Sequence, residues 1–309
     1  MIGTFLLIIV GIILVTGVAF WIIGERGRLL RISTWNFIRE AGFKRLLNLS
    51  NIHAYVYGRW IKEYLSILNK RIIPHLNPRG KKWLSNRYHG KVITKEQAKN
   101  IITINKDIPL QNLEQIIPYS MARDLVLKGP PDVVVFQCGC RQSRDNPCQP
   151  IEVCMVIGQP FTNFVLEHHP KTSRRLTQTE ALELLEAEHE RGHLHSAWFK
   201  DAMLDRFYSI CNCCKCCCGG LEAMVKYGVP MMASSGYVCE IGEDCNGCGE
   251  CADYCHFEAI SVNGKAVVDY EKCMGCGLCE SKCPLEAINL KRDPAKGEPF
   301  DIKALSESI

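Results

Sequence analysis

The sequence lacks the short motifs that mark most nucleotide-dependent enzymes and serine hydrolases. It contains no Gly-x-Gly-x-x-Gly run, no Walker-type phosphate loop and no Gly-x-Ser-x-Gly elbow. These motifs hold dinucleotides, nucleoside triphosphates and nucleophilic serines. The glycines on either side of Cys248 and Cys276 belong to cysteine loops and not to nucleotide loops. Nicotinamide, flavin and ATP chemistry is therefore not indicated.

Charge is also absent from residues 2–23. A helix of these 22 residues would be about 33 Å long, which suffices for a hydrocarbon core of roughly 30 Å. Phe20 and Trp21 would then lie at a membrane interface. Arginines follow at once, and by the positive-inside rule they favour a cytoplasmic C-terminal side. We therefore expect a single-pass anchor in the inner (cytoplasmic) membrane, with the bulk of the chain in the cytoplasm. The alternative is a cleaved signal peptide, but the segment is long and no positive charge precedes it.

The net charge of +4 conceals two regions of opposite sign. Residues 24–90 hold 14 Lys/Arg against 3 Glu, a net of +11, and residues 237–309 hold 7 Lys/Arg against 14 Asp/Glu, a net of −7. We expect the basic segment to lie on anionic membrane lipid. The acidic segment would offer a negative face to a basic redox partner protein. With a membrane tether, nucleic acid is not expected as a partner. The alternative for both regions is ordinary solvated surface.

Cysteine is abundant, at 19 of 309 residues, and eight cysteines near the C-terminus form a repeat. Two runs with the spacing C-x2-C-x2-C-x3-C are offset by 28 residues. Three such cysteines can wrap one 4Fe–4S cube, and the fourth cysteine of each run ligates the other cluster in two-cluster ferredoxins. Zinc sites, the alternative, more often use paired C-x2-C hooks with longer gaps. The spacing assigns one cluster to Cys245, Cys248, Cys251 and Cys283, and the other to Cys273, Cys276, Cys279 and Cys255.

This repeat resembles the bacterial dicluster ferredoxins over roughly residues 238–292. The resemblance implies the ferredoxin fold, two 4Fe–4S clusters and a low reduction potential. His256 departs from the family, which usually has proline after the fourth cysteine of the run. The substitution leaves the ligands intact and is expected to alter the hydrogen bonding of one cluster.

Two further groups of cysteines occupy the middle of the chain, each at the end of a predicted strand (132–136 and 206–210). Metal-bound thiolates are expected here, because the predicted compartment is reducing. Three alternatives stay open: one or two further iron–sulfur clusters, a zinc site, or a mixture of structural and redox-active thiols. Cys239 is expected to be a core cysteine. The candidate metal ligands are Cys138, Cys140, Cys148, Cys154, Cys211, Cys213, Cys214, Cys216, Cys217 and Cys218.

Two capping boxes predict helices in the same region. Thr94 with Gln97 opens one helix, and Thr177 with Glu180 opens another that ends near residue 191. His189 and His193 follow at a spacing of four, which can serve a metal. More often such residues lie at the C-terminus of a helix, where positive charge is favoured.

The motif Cys-Asn-Cys-Cys-x-Cys-Cys-Cys at residues 211–218, followed by the two-run repeat, resembles uncharacterised ferredoxin-type proteins of anaerobic bacteria and archaea. The upstream Cys-x-Cys-Arg at residues 138–141 and His193-Leu-His195 also fit that resemblance, which covers about residues 138–292. It implies iron–sulfur chemistry but no particular substrate. The N-terminal anchor and the basic segment have no counterpart in it.

Together these features predict an α+β protein of four parts. The parts are a transmembrane anchor (1–23), a basic helical juxtamembrane segment (24–90), a cysteine-rich α/β middle domain (91–236) and a two-cluster ferredoxin domain (237–309). The predicted function is membrane-anchored, cytoplasm-facing iron–sulfur electron transfer. One alternative is an oxidoreductase whose middle-domain metal centre is the active site, and another is a redox- or metal-sensing adaptor.

Overall fold

The computed structural model describes residues 2–42 and 49–307. Met1, residues 308–309 and residues 43–48 lie outside the described part, and the last of these ranges belongs to the predicted basic helical segment. The N-terminal helices are α1 (Ile2–Gly24), α2 (Ile32–Ala41), α3 (Leu49–Arg59), α4 (Ile61–Ile67) and α5 (Pro78–Arg87). A π-helical turn, Leu68–Ile72, extends α4.

The structure does not support the predicted membrane anchor. Among the described residues, no helix combines the length and the apolar character that a membrane crossing requires. The prediction of a transmembrane helix over residues 2–23, and with it the single-pass membrane localisation, is therefore wrong. The aromatic side chains expected at a membrane interface contact other side chains of the protein. Phe20 stacks on Trp60 with ring centroids 4.3 Å apart, and Trp21 stacks on Tyr55 at 5.0 Å.

The rest of the described chain alternates between strands and short helices. The strands are β1 (Tyr88–Val92), β2 (Ile108–Leu110), β3 (Leu125–Leu127), β4 (Val133–Gln137), β5 (Glu152–Ile157), β6 (Ser173–Leu176), β7 (Leu194–Lys200), β8 (Arg206–Cys213), β9 (Met232–Ala233), β10 (Tyr237–Ile241), β11 (Ile260–Asn263), β12 (Lys265–Val268) and β13 (Ile288–Arg292). The helices are α6 (Lys95–Thr103), α7 (Gly139–Gln142), α8 (Phe161–His168), α9 (Gln178–Glu190), α10 (Gly219–Val225), α11 (Glu250–Asp253), α12 (Leu278–Ser281) and α13 (Ile302–Glu307).

Within the described residues, seven strands form one sheet in the order β6-β4-β5-β8-β7-β1-β9. The β1–β9 pair is parallel, and the other pairs are antiparallel. An α/β domain needs parallel strands joined by helical crossovers, so the α/β prediction for the middle region is wrong and the region is α+β. Both capping boxes are confirmed, with Thr94 at the start of α6 and Thr177 at the start of α9.

The two faces of this sheet carry different cores, because successive side chains of a strand point to opposite sides. On β8, Phe207 and Ile210 pack into a core without cysteines, together with α6 and α9. They share a face although they are three residues apart, because the register of β8 with β7 shifts between Phe207 and Ser209. Tyr208 and Cys211 face the other side, where the core contains most of the cysteines. The strand order brings the ends of β4, β5 and β8 together, and these ends carry the middle cysteines.

The C-terminal cysteine region consists of two strand pairs and two short helices. β10 pairs with β13 in antiparallel register, with Cys239 opposite Leu290. β11 and β12 form a hairpin whose turn contains Asn263 and Gly264. The helices α11 and α12 follow the two cysteine loops at equivalent places in the repeat.

Candidate metal centres

Four thiols of the C-terminal region surround one small cavity. They are Cys245, Cys248, Cys251 and Cys283. The backbone N–H of Ala266 donates to Cys245 Sγ at 3.5 Å, and that of Ala287 donates to Cys283 Sγ at 3.3 Å. Because these donors favour a charged sulfur, the bond from Ala266 lowers the pKa of Cys245.

A second small cavity lies in the other half of the repeat. Its cysteines are Cys255, Cys273, Cys276 and Cys279, together with Cys239. The N–H of Ala259 donates to Cys255 Sγ at 3.2 Å, which matches the bond from Ala287 to Cys283, since both pairs are related by the 28-residue offset. In each cavity, therefore, three cysteines come from one run and the fourth from the other run.

Cys239 is a thiol that sequence reasoning missed as part of a site. It is buried on β10, its N–H donates to Cys273 Sγ at 3.5 Å, and its thiol contacts those of Cys273 and Cys279. Contact with Cys239 holds the pKa of Cys273 at about 6. Its position depends on the pairing of β10 with β13, for which the cysteine spacing carries no signal.

Two glycines at equivalent positions allow both cysteine loops to turn tightly. Gly247 has φ +74° and Gly275 has φ +62°, in the left-handed region that favours glycine. A Cβ on Gly247 would lie 2.1 Å from the carbonyl oxygen of Gly264, and one on Gly275 would lie 2.2 Å from that of Tyr237. Each loop therefore packs its backbone directly against a neighbouring backbone, and this leaves no room for a side chain at these positions.

The donor sets of the two cavities fit iron–sulfur clusters. Four thiolates are the ligands that a 4Fe–4S cluster takes from protein, and N–H donors to sulfur are part of how proteins tune such clusters. Within the described residues all nineteen cysteines are free thiols. Each cavity therefore offers a complete set of four ligands to one cluster.

Six of the ten middle cysteines form a ring on the cysteine-bearing face of the sheet. Each thiol contacts two others, and the Sγ atoms of Cys213 and Cys218 are 3.3 Å apart. Contact with Cys138 and Cys218, together with burial, holds the pKa of Cys140 well above its usual range. Six crowded thiolates can therefore form together only with cations among them. The order around the ring is Cys138, Cys140, Cys218, Cys213, Cys211, Cys154 and back to Cys138.

The ring lines a cavity of about 60 Å³ that also contains an unpaired polar group. Asn69, in the π-helical turn after α4, lines this cavity, and its Nδ2 is buried without a hydrogen-bond acceptor among the described residues. A buried amide N–H without a partner is costly, and thiolate or sulfide sulfur at the ring would provide an acceptor. The donor set and the orphaned amide both fit a metal–sulfur centre.

The other four middle cysteines form a second set, which we call the four-thiol set; Cys216 is exposed, whereas Cys214 and Cys217 are buried and also line the ring cavity. All four sulfur atoms lie within 4.8 Å of one another. Cys148 Sγ is 2.6 Å from Cys216 Sγ, and Cys216 Sγ is 3.5 Å from Cys217 Sγ. Tetrahedral zinc with bonds of about 2.3 Å places its sulfurs about 3.8 Å apart. This spacing lies within the 4.8 Å span of the set, and the two closest pairs would have to move apart to hold an ion. The members are Cys148, Cys214, Cys216 and Cys217.

A buried ion pair lies beside the six-thiol ring. Arg141 and Glu188 are almost fully buried, with Arg141 Nη2 3.4 Å from Glu188 Oε2. The guanidinium also donates to the carbonyl oxygens of Pro150 and Asn212. Burial acts to lower the pKa of Arg141, but the thiols of the cysteine clusters and Glu188 outweigh it and raise that pKa. Arg141 is thus a permanent positive charge beside the ring.

The histidines near the end of α9 bond to protein groups. His193 Nδ1 lies 2.6 Å from Glu188 Oε2, and His189 Nδ1 lies 3.2 Å from His195 Nε2. His195 Nδ1 in turn contacts Asn212 Oδ1 at 2.7 Å. His189 and His193 thus have different partners, so the i, i+4 spacing does not bring them to one metal-binding point among the described residues.

His256 connects the C-terminal cavities to the middle of the chain. Its Nε2–H donates to the carbonyl oxygen of Gly192 at 2.8 Å, and the ring is buried. Burial lowers the pKa of His256, while the nearby Cys218 acts to raise it. His256 follows Cys255 directly and bonds to the segment after α9, so it joins the second C-terminal cavity to the middle region.

Comparison with known proteins identifies one segment. Residues 266–289 match the 4Fe-4S binding domain family. No curated protein and no solved structure matches the chain. The matched segment contains Cys273, Cys276, Cys279 and Cys283, and the chain therefore contains a 4Fe–4S binding domain with at least one 4Fe–4S cluster.

Proposed function

We propose that this protein transfers electrons through two 4Fe–4S clusters in its C-terminal region and a further metal–sulfur centre in its middle region. The observation that carries the proposal is the pair of four-thiol cavities, each lined by three cysteines of one run and one cysteine of the other. An iron–sulfur cluster supplies one-electron chemistry when bound. The eight cysteines would hold two such clusters, four cysteines for each. The backbone N–H groups of Ala259, Ala266 and Ala287 would stabilise the negative charge on the cysteine ligands.

The six-thiol ring is proposed as the third redox centre. Six thiolates exceed the four that one 4Fe–4S cube takes, which supports a larger iron–sulfur centre at the ring. His256 links the second cavity to the ring region through Gly192. The resemblance to ferredoxin-type proteins with a Cys-Asn-Cys-Cys-x-Cys-Cys-Cys motif agrees with this proposal.

The four-thiol set is proposed to hold one tetrahedral metal ion, either Zn²⁺ or Fe²⁺. Cys214, Cys216 and Cys217 lie between the ring cysteines Cys213 and Cys218 in sequence. An ion there would fix the loop 211–218, which carries three of the six ring cysteines and three members of the four-thiol set. Its role would be structural, since four thiolates leave no open coordination position. A basic redox partner protein is proposed to dock on the acidic C-terminal region, whose net charge is −7.

Matched cysteine pairs separate these centres. The full chain is purified without oxygen, and iron, zinc and acid-labile sulfide are measured together with the EPR spectrum of the reduced protein. Cys213→Ser with Cys218→Ser should remove the iron and sulfide of the ring and leave the amount that the two C-terminal clusters account for. Cys148→Ser with Cys216→Ser should remove one metal ion and no sulfide. Both double variants should keep the EPR signals of the two C-terminal clusters.

Unchanged metal and sulfide in both double variants would contradict the proposed middle centres. Loss of the C-terminal EPR signals would show that the C-terminal clusters depend on the middle centres.

A further inference from the structure

An apolar cavity of about 650 Å³ lies among α1, α2, α3 and α8. This volume falls in the range of small-molecule sites, roughly 300–1,000 Å³. No lysine, arginine, aspartate or glutamate is among its described lining residues. Aromatic rings dominate the wall, including those of Trp21, Trp35, Phe37, Tyr55, Phe161 and Phe164.

This apolar cavity shares a wall with the cavity of the six-thiol ring. Four side chains line both cavities: Tyr57, Ile61, Phe136 and Tyr208. The two cavities are therefore separated by a layer one side chain thick. A molecule in the apolar cavity would be next to the ring, the site proposed above for a redox centre.

The shared wall also contains hydroxyl groups. Tyr57 Oη lies 2.6 Å from Tyr208 Oη and 3.1 Å from Tyr88 Oη. Burial raises the pKa of both Tyr57 and Tyr208, so both remain protonated at neutral pH. Tyr88 belongs to the same hydrogen-bonded group but lines only the ring cavity.

We propose that the apolar cavity binds a planar, apolar, redox-active aromatic molecule of the quinone class. Because it places a redox molecule beside the ring, this inference rests on the proposed electron-transfer function. Aromatic walls favour a flat ring by offset stacking, and a tyrosine hydroxyl of the shared wall can donate to a quinone carbonyl oxygen. Flavins and nicotinamides carry phosphate, for which the described lining offers no cation.

Binding is tested directly on the full-length protein in detergent-free, anaerobic buffer. The probe is 2-methyl-1,4-naphthoquinone, read by calorimetry and by quenching of the tryptophan fluorescence, to which Trp21 and Trp35 of the cavity wall contribute. The comparison molecule is 2-methylnaphthalene, which has the same ring system without carbonyl groups. Saturable binding of one quinone per chain, tighter than that of the hydrocarbon, is expected. No saturable binding, or equal affinity for both molecules, would overturn the proposal.

Variants of the wall give the matched controls. Ala54→Trp and the more peripheral Ile38→Trp should each abolish binding by filling the cavity. Tyr208→Phe should weaken quinone binding by about two- to tenfold, the effect of one hydrogen bond, without changing binding of the hydrocarbon. Tyr88→Phe should change neither affinity. Binding that survives both cavity-filling variants, in protein that remains folded, contradicts the site.

Metal analysis of the same samples separates the two proposals. If iron and sulfide are present and the quinone does not bind, the cavity proposal fails and the electron-transfer function stands. If the quinone binds to protein that holds zinc without sulfide, the electron-transfer function fails and only an apolar binding site remains.

Discussion

The Nε2 atom of His256 lies 2.8 Å from the carbonyl oxygen of Gly192. This bond joins residues 64 positions apart in the chain, one directly after Cys255 and the other at the end of α9. A Cβ on Gly192 would lie 2.4 Å from the ring of Tyr254, so the two regions are also in close packing contact here. Lys282 Nζ adds a bond to the carbonyl oxygen of Glu190 at 2.6 Å. The C-terminal cavities are thus fixed against the middle region on the side of the six-thiol ring.

Replacing His256 with phenylalanine should loosen this junction without removing metal. The buried carbonyl of Gly192 loses its donor, which costs about 1–3 kcal/mol, and amide hydrogen exchange at residues 189–195 should become faster. His256→Gln keeps an N–H donor and should behave more like the parent protein. Iron content should be the same in both variants, and equal exchange rates in His256→Phe and the parent would contradict the junction.

Replacing Cys283 with serine should affect one of the two proposed C-terminal clusters. Cys283 lines the cavity of the first run, so the cluster held by Cys245, Cys248 and Cys251 should be lost or altered, and the EPR signal of the other cluster should remain. Cys239→Ala is the control, because Cys239 is a fifth thiol at a cavity that already has four. Retention of both signals in Cys283→Ser, or loss of a cluster in Cys239→Ala, would count against the assignment.

Replacing Arg141 with methionine should destabilise the middle region strongly. Removal of one partner of a buried ion pair typically costs about 3–5 kcal/mol. Glu188 would lose the buried one of its two arginine partners, and the carbonyl oxygens of Pro150 and Asn212 would lose their donor. Arg191 contacts the same carboxylate at 2.6 Å but is 46% exposed, so Arg191→Met should cost less than about 1 kcal/mol. Thermal unfolding of the two variants measures the difference, and similar midpoints would show that burial of Arg141 contributes little.

The buried His89 should make the protein less stable in acid. Burial lowers the pKa of His89 to about 4, whereas an unfolded histidine has a pKa of about 6.5. Between these values the unfolded chain binds the additional proton, so the contribution of His89 is complete above pH ~6.5 and is lost as pH falls toward 4. The loss is at most about 3 kcal/mol. His89→Phe should reduce the drop in unfolding midpoint between pH 7 and pH 5, and the same substitution at the exposed His75 should not. An equal drop in the unfolding midpoint of all three proteins would show that His89 does not cause the loss of stability in acid.

The sequence predicted local features well because they depend on short spacings. The two capping boxes need only residues three apart, and the cysteine runs identify a 4Fe–4S binding segment because their ligands lie within a few residues of each other. Cys239 was missed because its contact with Cys273 depends on the pairing of β10 with β13. Asn69 was missed for the same reason, since its place at the ring cavity depends on how α4 packs against α7.

Longer-range arrangements were beyond sequence reasoning. Adjacent residues point apart in most backbones, so the six cysteines of residues 211–218 cannot all ligate one cube. The sequence does not show which of these cysteines join Cys138 and Cys154. That division depends on the order of β4, β5 and β8. The membrane anchor was predicted from the uncharged residues 2–23, a composition that does not reveal the contacts of Phe20 and Trp21 with Trp60 and Tyr55.

The central claim is tested most directly by the iron and acid-labile sulfide content of the full chain purified without oxygen, carrying Cys213→Ser and Cys218→Ser so that the ring does not contribute. The eight C-terminal cysteines predict about eight irons and eight sulfides per chain in two 4Fe–4S clusters, and an Fe²⁺ ion at the four-thiol set would add one iron without sulfide. A content of about four of each would show that only one cavity holds a cluster. Zinc without sulfide would contradict the electron-transfer function altogether.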